Sequence, residues 1–143
     1  MKRTVLLILA LSLGLGGAWA DSDMITARRA LMKQDGMTSK ALFGMFKGNA
    51  PFDLPTVQKA LATFQDIAAK APGMFPPDSK TGDTNASPAI WDNLADFNAQ
   101  FAQFGADAKD AAAAITDEAS FKANIPKVFA HCGGCHEKYK LKS

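Results

Sequence analysis

Histidine and cysteine are scarce in this sequence of 143 residues: there are two of each, and all four lie between positions 131 and 136. A structural zinc ion needs about four ligands, usually drawn from two separated segments, and one helical turn does not wrap a tetrahedral ion. Basic and acidic residues nearly balance, 16 against 14, and form neither a basic stripe nor an acidic tail. Nucleic acid is therefore not an expected partner. No segment shows the β-branched alternation of a half-buried strand. No acid–base dyad, nucleophile triad or phosphate loop stands out, so an enzyme is not expected.

An apolar run from Val5 to Leu15 follows Lys2 and Arg3 and ends at Ala18-Trp19-Ala20. A basic start, a short apolar core and an A-x-A site make a secretory signal peptide, with cleavage expected before Asp21. The run falls short of the roughly 20 residues that span a bilayer, so no stable membrane insertion is expected after cleavage. Two of the basic residues and none of the acids lie in this leader. Residues 21–143 thus carry 14 of each, a formal charge near zero, and suffice for one domain with a single core.

Four helical stretches are predicted, separated by Pro, Gly and Asx punctuation, which makes the class all-α. Helix one runs from Ser22 to Phe46, with Ile25, Arg28, Leu31, Met32, Ala41, Leu42 and Met45 as its marked positions; it stops at Gly48, and Gly36 weakens it midway. Helix two runs from Leu54 to Ala71, with Pro55 in its first turn and Val57, Leu61, Phe64, Ile67, Ala68 and Ala71 on one face. Residues 72–88 are too polar and broken for a regular element. Helix three, Ser87 to Ala113, repeats Ile90, Leu94, Phe97, Phe101, Phe104 and Ala108 at bundle-seam spacing. Helix four, Asp117 to Lys140, carries Phe121, Ile125, Val128, Cys132, Cys135 and Tyr139 in the same rhythm, with a kink or restart at Pro126. Such helices imply an antiparallel four-helix bundle with a cofactor between facing helices.

Cys132-Gly133-Gly134-Cys135-His136 is a C-x-x-C-H string, the attachment signature of c-type haem. Two thiols at i and i+3 and an imidazole at i+4 share one helix side, where the thiols can form thioethers and the imidazole can ligate iron. A plain disulfide and a dithiol redox pair are rivals, although the latter expects a βαβ context that is not visible. Export and the pentapeptide support each other, because exported c-type cytochromes acquire haem outside the bacterial inner membrane. The expected compartment is the periplasm.

Further segments carry a resemblance: Ala30-Leu31-Met32-Lys33, Lys47-Gly48-Asn49-Ala50-Pro51-Phe52-Asp53, Met74-Phe75-Pro76-Pro77-Asp78-Ser79, Ser87-Pro88-Ala89-Ile90-Trp91, and Glu137-Lys138-Tyr139 after a C-terminal pentapeptide. Essentially the whole mature chain resembles the class II cytochromes c, the cytochrome c′ family, and these segments look most like its low-spin cytochrome c-556 subgroup. The family is itself a standard example of the up-down-up-down four-helix bundle. The resemblance implies one haem c held by thioethers from Cys132 and Cys135, with His136 as proximal ligand. It leaves two states for the sixth position: empty and shielded, as in gas-binding members, or filled by the methionine of the Leu-Met-Lys segment, here Met32. It also suggests Arg28 as a partner for a haem propionate, with a solvated surface arginine as an equal alternative.

Antiparallel geometry bears on the same point. His136 lies near the end of helix four, so the facing level of helix one lies near its start, between Met24 and Met32. Met24 sits in a turn where fraying is expected, and Met74 is in the loop. Met37 lies roughly 7 Å further along and Met45 roughly 20 Å beyond Met32, at 1.5 Å per residue. Met32 is the remaining candidate, either as iron ligand or as a flexible core filler that shields the face. His131 is read as exposed or adjacent to the ligands, Tyr139 as core, and Trp91 with Phe97, Phe101 and Phe104 as the dry pocket wall. The leading expectation is a single-haem electron carrier serving periplasmic redox proteins. Its alternative is a five-coordinate cytochrome c′ binding nitric oxide or carbon monoxide, and the family resemblance adds a homodimer through helix one. A haem-free helical dithiol module is a third class.

Overall fold

The computed structural model describes residues 17–142, with side chains from Asp23 onward; most of the expected leader lies outside the described residues. Four long helices carry the fold: α1 (Gly17–Phe46), α2 (Leu54–Lys70), α4 (Leu94–Ala114) and α5 (Glu118–Tyr139), with a one-turn α3 (Ala89–Asp92) ahead of α4. Among the described residues there is no strand, only an isolated bridge between Ala86 and Lys140, and no helix is long and apolar enough to cross a membrane. The bundle is all-α, as the apolar spacing predicts.

Local chemistry sets the ends. Asp53 caps α2 by accepting from the Thr56 N–H at 2.9 Å, and Pro55 occupies the first turn, where no amide partner is lost. Asp117 and Ser120 form a reciprocal capping box at the start of α5. Gly48, with φ of 74°, takes the left-handed conformation just beyond α1. Gly36 does not interrupt α1. Pro126 lies inside α5 without dividing it, on an exposed face where water can satisfy the freed carbonyl.

Two expectations change. Residues 72–88 are not wholly irregular, because 3-10 turns form at Ala71–Met74 and Pro77–Lys80. The single helix expected over Ser87–Ala113 is broken at Asn93, whose φ and ψ are −133° and 43°. The Asn93 side chain donates to the Ala89 carbonyl at 3.2 Å, a local alternative to the helix ladder that asparagine offers readily. Upstream, the Ser87 N–H donates to the Tyr139 carbonyl at 2.9 Å, which fixes the approach from α5. The break shifts the phase of the seam, so Leu94 is 41% exposed while Phe97 and Phe104 are buried.

The main core joins Leu42, Val57, Leu61, Phe64, Phe104, Phe121, Ile125 and Val128. Burying each such side chain contributes about 1.5–3 kcal/mol. A smaller core of Ile90, Phe97 and Tyr139, flanked by Phe75, Trp91, Phe101 and Cys135, closes the end of the bundle where the cysteines lie. There Tyr139 packs edge-on against Phe97, with centroids 5.1 Å apart, and its hydroxyl donates to Asp96.

Candidate functional site

The last two turns of α5 present Cys132 and Cys135, both partly buried and both free thiols. Gly133 and Gly134 are exposed, and a Cβ at either would meet no neighbour, so the outer side of this turn is open. Burial and the nearby Asp35 carboxylate push the Cys132 thiol up to about 11. Burial, and secondarily Asp96, raises Cys135 as well. At both positions burial disfavours the thiolate. His136 is exposed at the edge of this turn; desolvation of its imidazole and, secondarily, the Lys140 ammonium lower its pKa, favouring the neutral form that ligates metals.

Two clefts meet at this turn, with cavity volumes of about 40 and 340 Å³; the outer one falls within the range of cofactor pockets of about 300–1,000 Å³, and the inner one lies well below it. Met32, Phe101, Cys135 and His136 line both. Ile67, Phe104 and Cys132 complete much of the inner cleft, and Phe75, Ile90, Phe97 and Tyr139 much of the outer one. Half-buried Met32 therefore shares each space with His136, one on α1 and the other on α5. Met24 and Met37 are exposed and Met45 belongs to the main core, while Met74 packs on that core from the loop. Trp91 stands behind the wall, donating to the Phe75 and Pro76 carbonyls at 3.1 and 3.2 Å.

Arg28 lines the outer cleft but is not a surface arginine: it is 4% exposed. Its Nη1 donates to the Met74 carbonyl at 3.2 Å and Ser79 Oγ at 2.7 Å, and its Nη2 to the Ser79 carbonyl at 2.9 Å and Thr84 Oγ1 at 2.8 Å. Both terminal nitrogens are thus committed to the loop after α2, and burial lowers the guanidinium pKa.

Three polar residues in or beside the site escape sequence reasoning. Asp35 lines the inner cleft with one buried oxygen lacking any partner, and burial raises its carboxyl to about 6. Ser39, one turn later, likewise buries an unpartnered hydroxyl. Asp107, buried on α4, accepts from Gln103 and Lys127 at 2.9 Å each and faces His131 Nε2 at 2.8 Å. The signal for Asp107 was its place beside Phe104 and Ala108 on the seam. For Asp35 it was the one-turn spacing from Met32.

Comparison with known proteins agrees with this arrangement. The family model described as Cytochrome C′ matches residues 23–140. A protein named cytochrome c′ from Rhodopseudomonas palustris is 47% identical over 131 residues, 91% of this chain and 90% of that protein. A cytochrome c-556 from Agrobacterium tumefaciens is 40% identical over 119 residues, 82% of this chain and 97% of that one. The solved structure of cytochrome c′ from Rhodopseudomonas palustris superposes with a TM-score of 0.83 at 46% identity, covering 85% of this chain and 98% of that chain. The chain belongs to the cytochrome c′ family, the class II cytochromes c.

Proposed function

We propose that the protein is an exported, periplasmic, single-haem electron carrier. Cys132 and Cys135 hold haem c through thioethers, and His136 and Met32 are the axial ligands. The observation that carries the ligand pair is the placement of His136 and Met32 together in both clefts, on different helices. Haem c supplies a one-electron ferric–ferrous couple when bound.

The fit rests on the lining. Ile67, Phe97, Phe101 and Phe104 make apolar walls that exclude water and so tune the potential. Cys132 and Cys135 lie on the cleft side of α5 while the intervening glycines face out. Met32 would supply a thioether sulfur, which favours ferrous iron relative to a second nitrogen ligand. Removal of residues 1–20 before Asp21, redox proteins as partners and pairing through α1 belong to the same proposal.

A second reading is favoured by the 47% likeness to a protein bearing the c′ name. In it Met32 shields the cleft without bonding iron, and carbon monoxide or nitric oxide binds. Met32→Ala in the haem-loaded protein separates the two. Conversion from low to high spin is expected from the carrier; an unchanged spin state removes Met32 as ligand.

A further inference from the structure

We propose that Arg28 is a positioning residue, keying the segment 74–87 as a strap across the mouth of the outer cleft and so restricting entry of diatomic ligands. The inference rests on the haem assignment above but not on the Met32–iron bond.

Arg28 is a buried cation whose partners are neutral. Its two terminal nitrogens hold carbonyl and hydroxyl oxygens of Met74, Ser79 and Thr84, and its guanidinium carbon lies 4.9 Å from the centre of the Phe75 ring. Burying an unpaired charge is expensive unless every donor is satisfied. The loop therefore has a strong reason to keep its shape, and lysine, a point charge without the planar fork, does not replace the arginine. Ser79 is completely buried; its hydroxyl accepts from Arg28 and donates to the Pro76 carbonyl at 2.9 Å. Thr84 Oγ1 accepts from Arg28 and also from the Ala86 N–H at 3.1 Å.

The far end of the segment is tied to α5. The Leu141 N–H donates to the Asn85 carbonyl at 2.8 Å, and the Ser87 N–H to the Tyr139 carbonyl at 2.9 Å. One continuous set of hydrogen bonds thus runs from α1, one turn before Met32, to the end of α5, one turn beyond His136. Phe75, Thr84, Asn85 and Ala86 from this strap line the same cleft as Met32 and His136. Loosening the key opens the wall of the cleft without touching either of those side chains.

The test compares Arg28→Lys, Ser79→Ala and Thr84→Val in the mature haem-loaded protein, below their melting temperatures. Two quantities are read: the association rate of carbon monoxide with the ferrous form, measured in a Met32→Ala background where the sixth position is open on either reading, and amide hydrogen exchange at Ser87 and Leu141. All three variants are expected to bind carbon monoxide about tenfold faster, equivalent to about 1.4 kcal/mol, and to exchange both amides faster. Ser79→Ala keeps the cation and carries the test if Arg28→Lys fails to fold. Acceleration in Arg28→Lys alone overturns the proposal in favour of a direct contact between the Arg28 guanidinium fork and haem. Unchanged rates in folded Ser79→Ala and Thr84→Val overturn it outright. With Met32 intact, both amides are expected to exchange faster in the same variants, and unchanged exchange there contradicts the strap.

Discussion

His131 Nε2 lies 2.8 Å from Asp107 Oδ2, joining α5 to α4 one residue before the first cysteine. Asp107 is the buried hub of three polar partners, His131, Lys127 and Gln103, and hydrogen bonds from His131 and then Lys127 hold its carboxyl down to about 2. Its native pKa lies below the ordinary value of 3.8, so its stabilising contribution is present above that value and is lost as pH falls through about 2. Asp107→Ala is expected to lower stability at pH 7 by about 2 kcal/mol, measured by denaturant unfolding of the haem-loaded protein. The gap from wild type should narrow below pH 3.

Asp35 has the opposite sign. Burial lifts its carboxyl from 3.8 to about 6, so the native state binds its proton more tightly than the unfolded chain. Stability from this group is full below pH 4 and is lost as pH rises through about 6. Asp35→Asn is expected to raise stability by about 1 kcal/mol at pH 7.5 and to change it little at pH 4. Melting temperatures across that range check the sign.

The helices and the cysteine face were legible because both follow from spacing. Phe121, Ile125 and Val128 are buried as their rhythm predicts, and Cys132 and Cys135 continue that stripe into the clefts. The place of Met32 in the clefts was legible from its level on helix one together with a family resemblance. The break at Asn93 was not, because the Ile90-to-Ala108 repeat reads as one seam and the competing contact is a side-chain hydrogen bond plus a distant tie to Tyr139. Arg28 was legible as a cleft residue but not as the key of a loop: its partners lie 46 to 56 positions away, beyond any periodicity. Asp107 and His131 meet across two helices, and no local pattern announces such a pair.

Attachment makes its own demand. Intact mass of protein matured in a host competent for cytochrome assembly is expected to correspond to a chain beginning at Asp21 plus one haem. Replacing both Cys132 and Cys135 by Ala should leave no haem resistant to acidic acetone. A wild-type chain without haem removes the cytochrome chemistry altogether.

The axial pair is tested most directly by the optical and near-infrared spectrum of the ferric, haem-loaded wild-type protein at neutral pH. Ligation by His136 and Met32 requires a low-spin spectrum with a sulfur-to-iron charge-transfer band, and no immediate change when the reduced protein meets carbon monoxide. A high-spin spectrum lacking that band, with prompt binding of carbon monoxide on reduction, contradicts it and leaves Met32 as a shield.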